Sequence, residues 1–256
     1  MLLEDGTKIQ SKAVVSGTGL HHTILELLSE ETLESDLNIS KFAKHVSHQD
    51  HACGAFKINV ALNELPNFKC LPSTNVGPQH TGTVHFEESM QEIETAYREA
   101  ISGHPAKRPV IEMTIPSSLD DTLSPPEKHV AQLFVQYAPY DLNGMSWSDS
   151  HVKSNFVKNV FDVVNEHVSN FESSIVGYDA LSPLDIENIF GMHKGNIFHG
   201  SMSLSQLAYA RPMGGYSNYR SPVSGLYMCS ASTHPGGGVM GAAGRNCSDV
   251  VISDMC

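Results

Sequence analysis

The most informative stretch of the sequence is Gly225-Leu-Tyr-Met-Cys-Ser-Ala-Ser-Thr-His-Pro-Gly-Gly-Gly-Val-Met-Gly-Ala-Ala-Gly-Arg-Asn246. Its residues 226–229 form a short apolar run that predicts a buried strand. Small and turn-forming residues follow, and they predict a glycine-rich turn that opens a helix of small residues.

Three glycines of this stretch, Gly236, Gly238 and Gly241, match the pattern Gly-x-Gly-x-x-Gly. In a turn between a strand and a helix, such glycines let the backbone approach a phosphate or a polar ring. The free N–H groups and the dipole of a helix N-terminus favour an anion or an electron-rich carbonyl. A tight turn with close helix packing is the structural alternative, since glycine serves that purpose as well.

The same stretch does not predict a complete dinucleotide-binding unit. Such a unit needs a second parallel strand and an acidic residue about 20 positions further on, whereas the sequence ends at Cys256. A phosphate-binding loop of the Walker type is excluded too, because Ala242 and Ala243 stand where Lys and Ser or Thr would follow Gly241. The turn is therefore expected to contact a sheet and a ligand supplied mostly from elsewhere.

Residues 225–246 closely resemble the C-terminal flavin-binding signature of the phytoene desaturase-like FAD oxidoreductases. Four upstream segments resemble the run before that signature in one subgroup of the family: Gly195-Asn-Ile-Phe-His-Gly200, Leu204-Ser-Gln-Leu207, Arg211-Pro212 and Tyr219-Arg-Ser-Pro222. The similarity extends over nearly the whole chain. It implies the C-terminal half of such an enzyme, without the N-terminal dinucleotide-binding half, and hence an isolated chain that is inactive.

The fold that the resemblance implies is α/β plus α+β. It consists of incomplete pieces of an FAD/NAD(P)-binding domain of the glutathione-reductase-like kind and an inserted mixed-sheet substrate domain. Residues 1–20 and 222–256 would be C-terminal strips of the FAD-binding domain, and residues 21–221 would form the substrate, or cap, domain.

The site that the resemblance implies is an FAD site. Residues 233–240 would line the flavin, with N–H groups facing the N1 and C2 carbonyl side of the ring, where they stabilise negative charge on the reduced ring. The reaction would be hydride transfer to flavin, desaturase-like or amine-oxidase-like, from an unidentified apolar small molecule. The expected cofactor-binding residues are Cys229, Ser230, Ala231, Thr233, His234, Pro235, Gly236, Gly237, Gly238, Val239 and Met240.

No catalytic residue is identified, but two histidines are candidates for an acid or a base. His234 and His199 qualify because the ordinary pKa of histidine lies near neutrality. His234 precedes Pro235, so a positional role in the turn is the alternative.

The chain departs from the family pattern at two positions. Members of the family usually carry glycine where Ser230 and Ser232 stand. A Cβ at these positions would crowd the cofactor or deny the backbone a positive φ. The substitutions therefore predict weakened FAD binding.

Composition limits the function classes. The chain has 256 residues, 40% of them hydrophobic, and a formal net charge of -12. This charge argues against nucleic acid and anionic membranes as partners. No apolar run approaches the roughly 18 residues of a membrane span, and the first residues lack a leader pattern. The resemblance implies an intracellular, reducing compartment, the mitochondrial matrix, with any targeting segment outside this sequence. The implied partners are the missing N-terminal half or another protein.

The cysteines predict free thiols rather than a disulfide framework. They are odd in number and irregularly spaced, at Cys53, Cys70, Cys229, Cys247 and Cys256. No close pair is present of the kind that passes electrons through a redox-active disulfide.

A cluster of potential ligands, His45, His48, His51 and Cys53, suggests a zinc-binding module. No second ligand pair follows at a typical spacing. A polar helix end or loop is therefore favoured, and no metal is predicted. Two other functions remain as alternatives to a zinc-binding module. One is an FAD-dependent oxidoreductase, and the other is a non-catalytic interaction module derived from that family.

The first residues, 2–15, predict a hairpin around Asp5-Gly6. The central part of the sequence mixes strands and helices. Apolar runs predict strands at 55–62, 84–86, 109–116, 129–137 and 174–180, the third and fourth of which are expected to pair. Helical periodicity predicts helices at 21–35, 87–102, 148–171 and 182–190. Because strands and helices do not alternate regularly, an α+β domain is expected.

Overall fold

The chain folds into two compact units in a computed structural model that describes residues 1–256. The terminal unit contains residues 1–51 and 196–256, and the central unit contains residues 52–195. These boundaries differ from the predicted ones at 20/21 and 221/222. Leu20, Ile24, Phe42 and Val46 form one apolar cluster with Met228, so the residues after position 20 pack with the C-terminal stretch.

The elements follow in chain order. The strands are β1 Val14–Ser16, β2 Phe56–Leu62, β3 Val84–His85, β4 Val110–Thr114, β5 His129–Gln136, β6 Ile175–Leu181 and β7 Leu226–Met228. The α-helices are α1 Glu30–Glu34, α2 Leu37–Ser47, α3 Pro78–Thr81, α4 Met90–Ile101, α5 Ser150–His167, α6 Phe171–Ser174, α7 Pro183–Phe190 and α8 Ala242–Met255. A π-helical turn spans His22–Glu26, and 3-10 turns span Pro116–Ser118, Asp121–Leu123, His193–Gly195, Leu204–Gln206 and Ala208–Ala210.

The central unit contains a five-stranded antiparallel sheet in the order β3-β4-β5-β2-β6. Alternate residues of β2 and β5 are fully buried, as a sheet with one covered face requires. They share one core with α5 residues such as Phe156 and Val160. The predicted strands, the pairing of β4 with β5 and the apolar stripe of α5 are confirmed.

The terminal unit is built on a parallel pair, β1 with β7, in which Val15 lies opposite Tyr227. Side chains alternate between the two faces of a strand. Leu226 and Met228 join the apolar cluster of Phe42, while Tyr227 packs with Cys247 of α8. Helices thus cover both faces of the pair, as in α/β proteins. The mixed α/β class is confirmed, and the glutathione-reductase-like arrangement stays a prediction.

Two helix predictions need correction. Residues 21–35 form no continuous helix, because the π-helical turn ends at Glu26 and α1 starts after its N-cap Ser29. The apolar periodicity of residues 21–35 predicts that Leu27 faces inward with Ile24 and Leu28, but Leu27 is 61% exposed. The periodicity of residues 87–102 predicts an apolar stripe of Met90, Ile93, Tyr97, Ala100 and Ile101. In α4 only Ala100 of this stripe is buried, together with Ala96, whereas Met90, Tyr97 and Ile101 are exposed. No helix of the structure is long and apolar enough to cross a bilayer.

Candidate functional site

The carboxyl ends of the two parallel strands meet at one edge of the terminal unit. Residues 17–19, Gly-Thr-Gly, follow β1, and Cys229 follows β7. The Cys229 N–H donates to the Ser16 carbonyl at 2.9 Å, which holds the two chain segments together. Ligands of open α/β sheets bind in the crevice outside these carboxyl ends. The family signature therefore starts where such a fold places ligands.

Small hydroxyl side chains line this edge. The Thr23 hydroxyl lies 2.7 Å from both the Ser16 and the Thr18 hydroxyl. The Ser230 and Ser232 hydroxyls are buried and lie 2.5 Å apart. These contacts satisfy the buried polar groups without large side chains.

Ser230 and Ser232 do not cause the backbone problem that the sequence predicts. Neither residue has a positive φ, so the expectation that a Cβ would deny a required left-handed conformation is wrong. The hydroxyl and the N–H of Thr233 both bond the Ser230 carbonyl, at 2.8 and 3.0 Å. Serine thus fits this turn, since its hydroxyl can accept the Ser232 N–H at 3.2 Å. Whether a Cβ here weakens FAD binding stays a prediction.

The glycine-rich loop, residues 236–240, has an open tip. Val239 is fully exposed, and Gly238 and Met240 are exposed as well. Gly238 has a φ of +137°, which side-chain-bearing residues rarely adopt. The N–H groups of residues 237–240 donate to no protein acceptor. They are therefore available to a ligand.

Close packing lies behind the loop. A Cβ at Gly237 would lie 2.3 Å from a ring carbon of Phe198, so only glycine fits there. The predicted small-residue helix is confirmed as α8, which starts after Gly241, a residue in the left-handed conformation.

Arg211 ties Ala231, which precedes the glycine-rich loop, to residues 198–206. It is only 2% exposed, and all five N–H donors of its guanidinium group bond backbone carbonyls. The acceptors lie 2.6–3.3 Å away on Phe198, Gly200, Ser201, Gln206 and Ala231. No carboxylate pairs with it, and burial lowers the pKa of Arg211 to about 10, so it is still charged at neutral pH. It therefore places a buried positive charge beside the loop.

Sequence reasoning did not identify this role of Arg211. The residue entered only as part of the matching segment Arg211-Pro212. A single arginine has no spacing that distinguishes it from a surface arginine. Only the fold shows that the guanidinium group of Arg211 donates hydrogen bonds to two separate segments, residues 198–206 and Ala231.

The two candidate histidines differ in their surroundings. The His234 side chain is exposed, and its backbone carbonyl accepts the Tyr219 hydroxyl at 2.9 Å, a contact that fixes the turn. His199 is half-buried beside Gly19, and its buried Nδ1 has no hydrogen-bond partner. Burial, with a smaller effect of Arg211, lowers the pKa of His199. A neutral imidazole in that position can accept a hydrogen bond or a proton.

Helix α8 is fixed at both ends. Near its start Asn246 donates to the Tyr219 hydroxyl at 2.8 Å. Near its end Asp254 accepts from Arg220 and from the Tyr227 hydroxyl. The Arg220 hydrogen bond, followed by that of Tyr227, holds the pKa of Asp254 below its ordinary value. These contacts fix the helix that follows the glycine-rich loop.

The histidines between positions 45 and 51 make separate contacts. His45 lies 3.2 Å from the Pro212 carbonyl, and His48 lies 2.7 Å from the Lys44 carbonyl, near the end of α2. His51 is buried, with its ring edge-on to that of His21. The structure contains no group of three potential ligands that could hold a metal ion. All five cysteines are free thiols.

The chain is similar to known proteins over its full length. It is 43% identical to pyridine nucleotide-disulfide oxidoreductase domain-containing protein 2 of Rattus norvegicus, over 100% of this chain and 44% of that protein. It is 24% identical to a 4,4'-diapophytoene desaturase of Staphylococcus haemolyticus, over 76% of this chain and 36% of that protein. The resemblance found in the sequence is confirmed. The chain spans less than half of these relatives, and no protein-family model matches it.

The fold is also similar to a solved structure. The crystal structure of an oxidoreductase from Methanosarcina mazei superimposes with a TM-score of 0.51, over 98% of this chain and 44% of that one. The sequence identity is 16%, so this likeness concerns the fold alone.

Proposed function

Because the chain belongs to the family of pyridine nucleotide-disulfide oxidoreductase domain-containing protein 2, we propose that it forms part of an FAD-dependent oxidoreductase. The terminal unit contacts the flavin ring through the glycine-rich loop. The observation that carries this proposal is the exposed loop with free N–H groups at the carboxyl ends of β1 and β7, backed by Arg211.

The chemistry of the site fits a flavin ring. A flat, electron-rich ring needs backbone N–H donors and close approach, and the loop offers both because residues 236–238 are glycines. The buried Arg211 supplies a positive charge without a carboxylate that would cancel it. The adenosine and pyrophosphate parts of FAD would require a second glycine-rich turn, for which this chain has no matching motif.

FAD, when bound, accepts a hydride from a substrate. The residues of this chain would hold the ring through the N–H groups of the glycine-rich loop and would supply the imidazole of His199. The substrate would lose a proton as well as the hydride, and we assign the acceptance of that proton to His199 Nδ1, because this atom is buried and lacks a partner. His234 is assigned a positional role, since its carbonyl anchors the turn to Tyr219.

The test is a fluorescence titration of the purified chain with lumiflavin, which consists of the ring system alone, and with FAD. Saturable quenching at one lumiflavin per chain is expected. The variant Gly238→Ala should weaken binding about tenfold, because its Cβ meets Met240 and its φ of +137° is strained. Gly244→Ala is the matched control, since no atom lies within 4 Å of its Cβ.

Three outcomes decide the proposal. If quenching by lumiflavin does not saturate, or if Gly238→Ala and wild type bind lumiflavin equally, the loop does not contact the flavin ring as proposed. FAD and lumiflavin of similar affinity support a chain that contacts only the ring. FAD that binds far more tightly would show that the chain also contacts the pyrophosphate.

A second candidate function is a non-catalytic interaction module. Exposed apolar side chains of the terminal unit favour it: Leu204, Tyr209, Val239 and Met240. Large apolar side chains that are exposed gain from burial against a partner. Sedimentation of the flavin-free chain, with Leu204→Asp as the variant, tests it: self-association that this change abolishes supports an interaction module, and a monomer at all concentrations contradicts self-association.

The location in the mitochondrial matrix is likewise a proposal, supported only by the resemblance. Fractionation of cells that express this protein tests the proposal, and recovery in the cytosol would contradict it.

A further inference from the structure

One face of the central sheet carries the side chains that do not enter the core. The register of the five strands places these side chains in rows that cross the sheet. One row contains Leu181, Lys57, Phe134, Glu112 and His85, from β6 to β3. The neighbouring row contains Asp179, Asn59, Gln132 and Thr114, from β6 to β4.

These rows are polar at their centre. Asn59 and Gln132 face each other on the two middle strands, and both are half-buried. Lys57 Nζ donates diagonally to Gln132 Oε1 at 3.0 Å. Amide groups and an ammonium group therefore converge on the middle of this face.

Lys57 has no anionic partner. It takes part in no ion pair, although Asp179 lies on the diagonal position of β6. Burial alone lowers the pKa of Lys57. A cation that has lost part of its water and forms no ion pair gains from an incoming anion.

The neighbours of Lys57 within its own row are apolar. Leu181 lies opposite it on one side and Phe134 on the other. Glu112 of β4 lies opposite Phe134 of β5. Phe134 therefore stands between Lys57 and Glu112 in this row. A ligand anchored at the ammonium group would thus lay its remaining part on apolar side chains.

From this placement we propose that the open face of the central sheet binds an amphipathic carboxylate. Its carboxylate pairs with Lys57 and accepts from the amide of Gln132 or Asn59, and its aliphatic or aromatic body covers Phe134 and Leu181. The net charge of -12 repels anions in general, so the affinity has to come from the local contacts with Lys57, Gln132 and Phe134. Only the further step, that this ligand is the substrate of the oxidoreductase, rests on the proposed function. The binding of a carboxylate to this face does not depend on it.

The experiment is an amide and side-chain NMR titration of the chain with phenylacetate and with its neutral analogue phenylacetamide. Saturable shifts at Lys57, Gln132 and Phe134 are expected with phenylacetate, and binding about tenfold weaker with phenylacetamide. Lys57→Met should weaken phenylacetate binding about tenfold, and Lys57→Arg should retain most of it.

The matched control is Lys107→Met, which removes one positive charge from an exposed lysine of the same unit. Its affinity for phenylacetate should equal that of wild type. Equal binding of the neutral analogue, an equal loss in Lys107→Met, or shifts scattered over other surfaces would each overturn the proposal. This measurement uses neither flavin nor enzyme turnover. A negative result here therefore leaves the lumiflavin result unaffected, and a negative lumiflavin result leaves this measurement unaffected.

Discussion

The interactions that stabilise the central unit differ from those that stabilise the loops of the terminal unit. The central unit has a core of large apolar side chains, and Phe56, Phe156 and Phe171 are each at most 2% exposed. The loops of the terminal unit are instead tied by polar contacts, above all the five carbonyls around Arg211. The candidate flavin loop belongs to the second kind of structure.

This difference follows from what each region has to do. Apolar packing produces a rigid framework, and it needs side chains that fill space. A loop that presents backbone N–H groups to a flat ring must avoid such side chains, so its shape depends on glycines and on hydrogen bonds from behind. Stability and ligand contact are therefore provided by different residue types.

The largest effect is expected in the central core. Phe156→Ala should lower the free energy of unfolding by about 3–5 kcal/mol, because it removes a buried ring and leaves a cavity. Trp147 packs against Phe156 and is the only tryptophan, so far-UV circular dichroism should accompany its fluorescence in urea titrations. The control Phe190→Ala, at an exposed ring, should change the value by less than about 0.5 kcal/mol. Equal effects would contradict the position of the core.

The next effect is expected at Arg211. Lysine has three donors instead of five, so Arg211→Lys removes hydrogen bonds to at least two of the five backbone carbonyls and should cost about 2–3 kcal/mol. Hydrogen exchange should become faster in residues 198–211 and 231–236. The exposed Arg98→Lys is the control. Unchanged exchange in these segments would contradict the role of Arg211.

A smaller effect is expected at the start of α7. Ser182 is buried, accepts the Asp185 N–H and forms a capping box with it. Ser182→Ala should lower the free energy of unfolding by about 1 kcal/mol, measured by urea titration. Ser154→Ala, on the exposed side of α5, serves as the control. A loss of similar size in both variants would show that capping is not the cause.

The smallest effect concerns pH. Burial, with a smaller contribution from His80, lowers the pKa of His129 below its ordinary value of 6.5. The unfolded chain then takes up a proton more readily, so the free energy of unfolding should fall as pH decreases through 6.5 towards the folded-state pKa. The urea midpoint of His129→Gln should fall less over this range. An identical pH dependence in both proteins would contradict this assignment.

The framework was largely predictable from the sequence because its signals are local. The alternation in residues 56–62 and the stripe around Phe156 and Val160 predict β2 and α5 directly. Ser182 followed by Pro183 predicts the start of α7. In each case the residue that forms the pattern is also the residue that is buried or capped.

The errors arose where tertiary contacts decide. In α4 the buried side is formed by Ala96 and Ala100, since the helix packs through small residues, and the larger apolar residues are left exposed. The break after Glu26 has no glycine or proline to mark it. Neither could be predicted from periodicity alone.

The candidate site was only partly predictable. The glycine motif and the family signature located the loop, because glycine is visible in a sequence. The clamp by Arg211 and the rows around Lys57 depend on the packing of distant segments and on strand register. Register becomes known only once the pairing of the strands is known.

The most direct test of the central claim is a map of backbone amide shifts of the chain as lumiflavin is added. The account predicts that the shifts saturate and concentrate in residues 229–241, with smaller changes in residues 16–19 and at His199. Shifts confined to the central unit, or none at concentrations that saturate the fluorescence signal, would contradict a flavin-contacting loop.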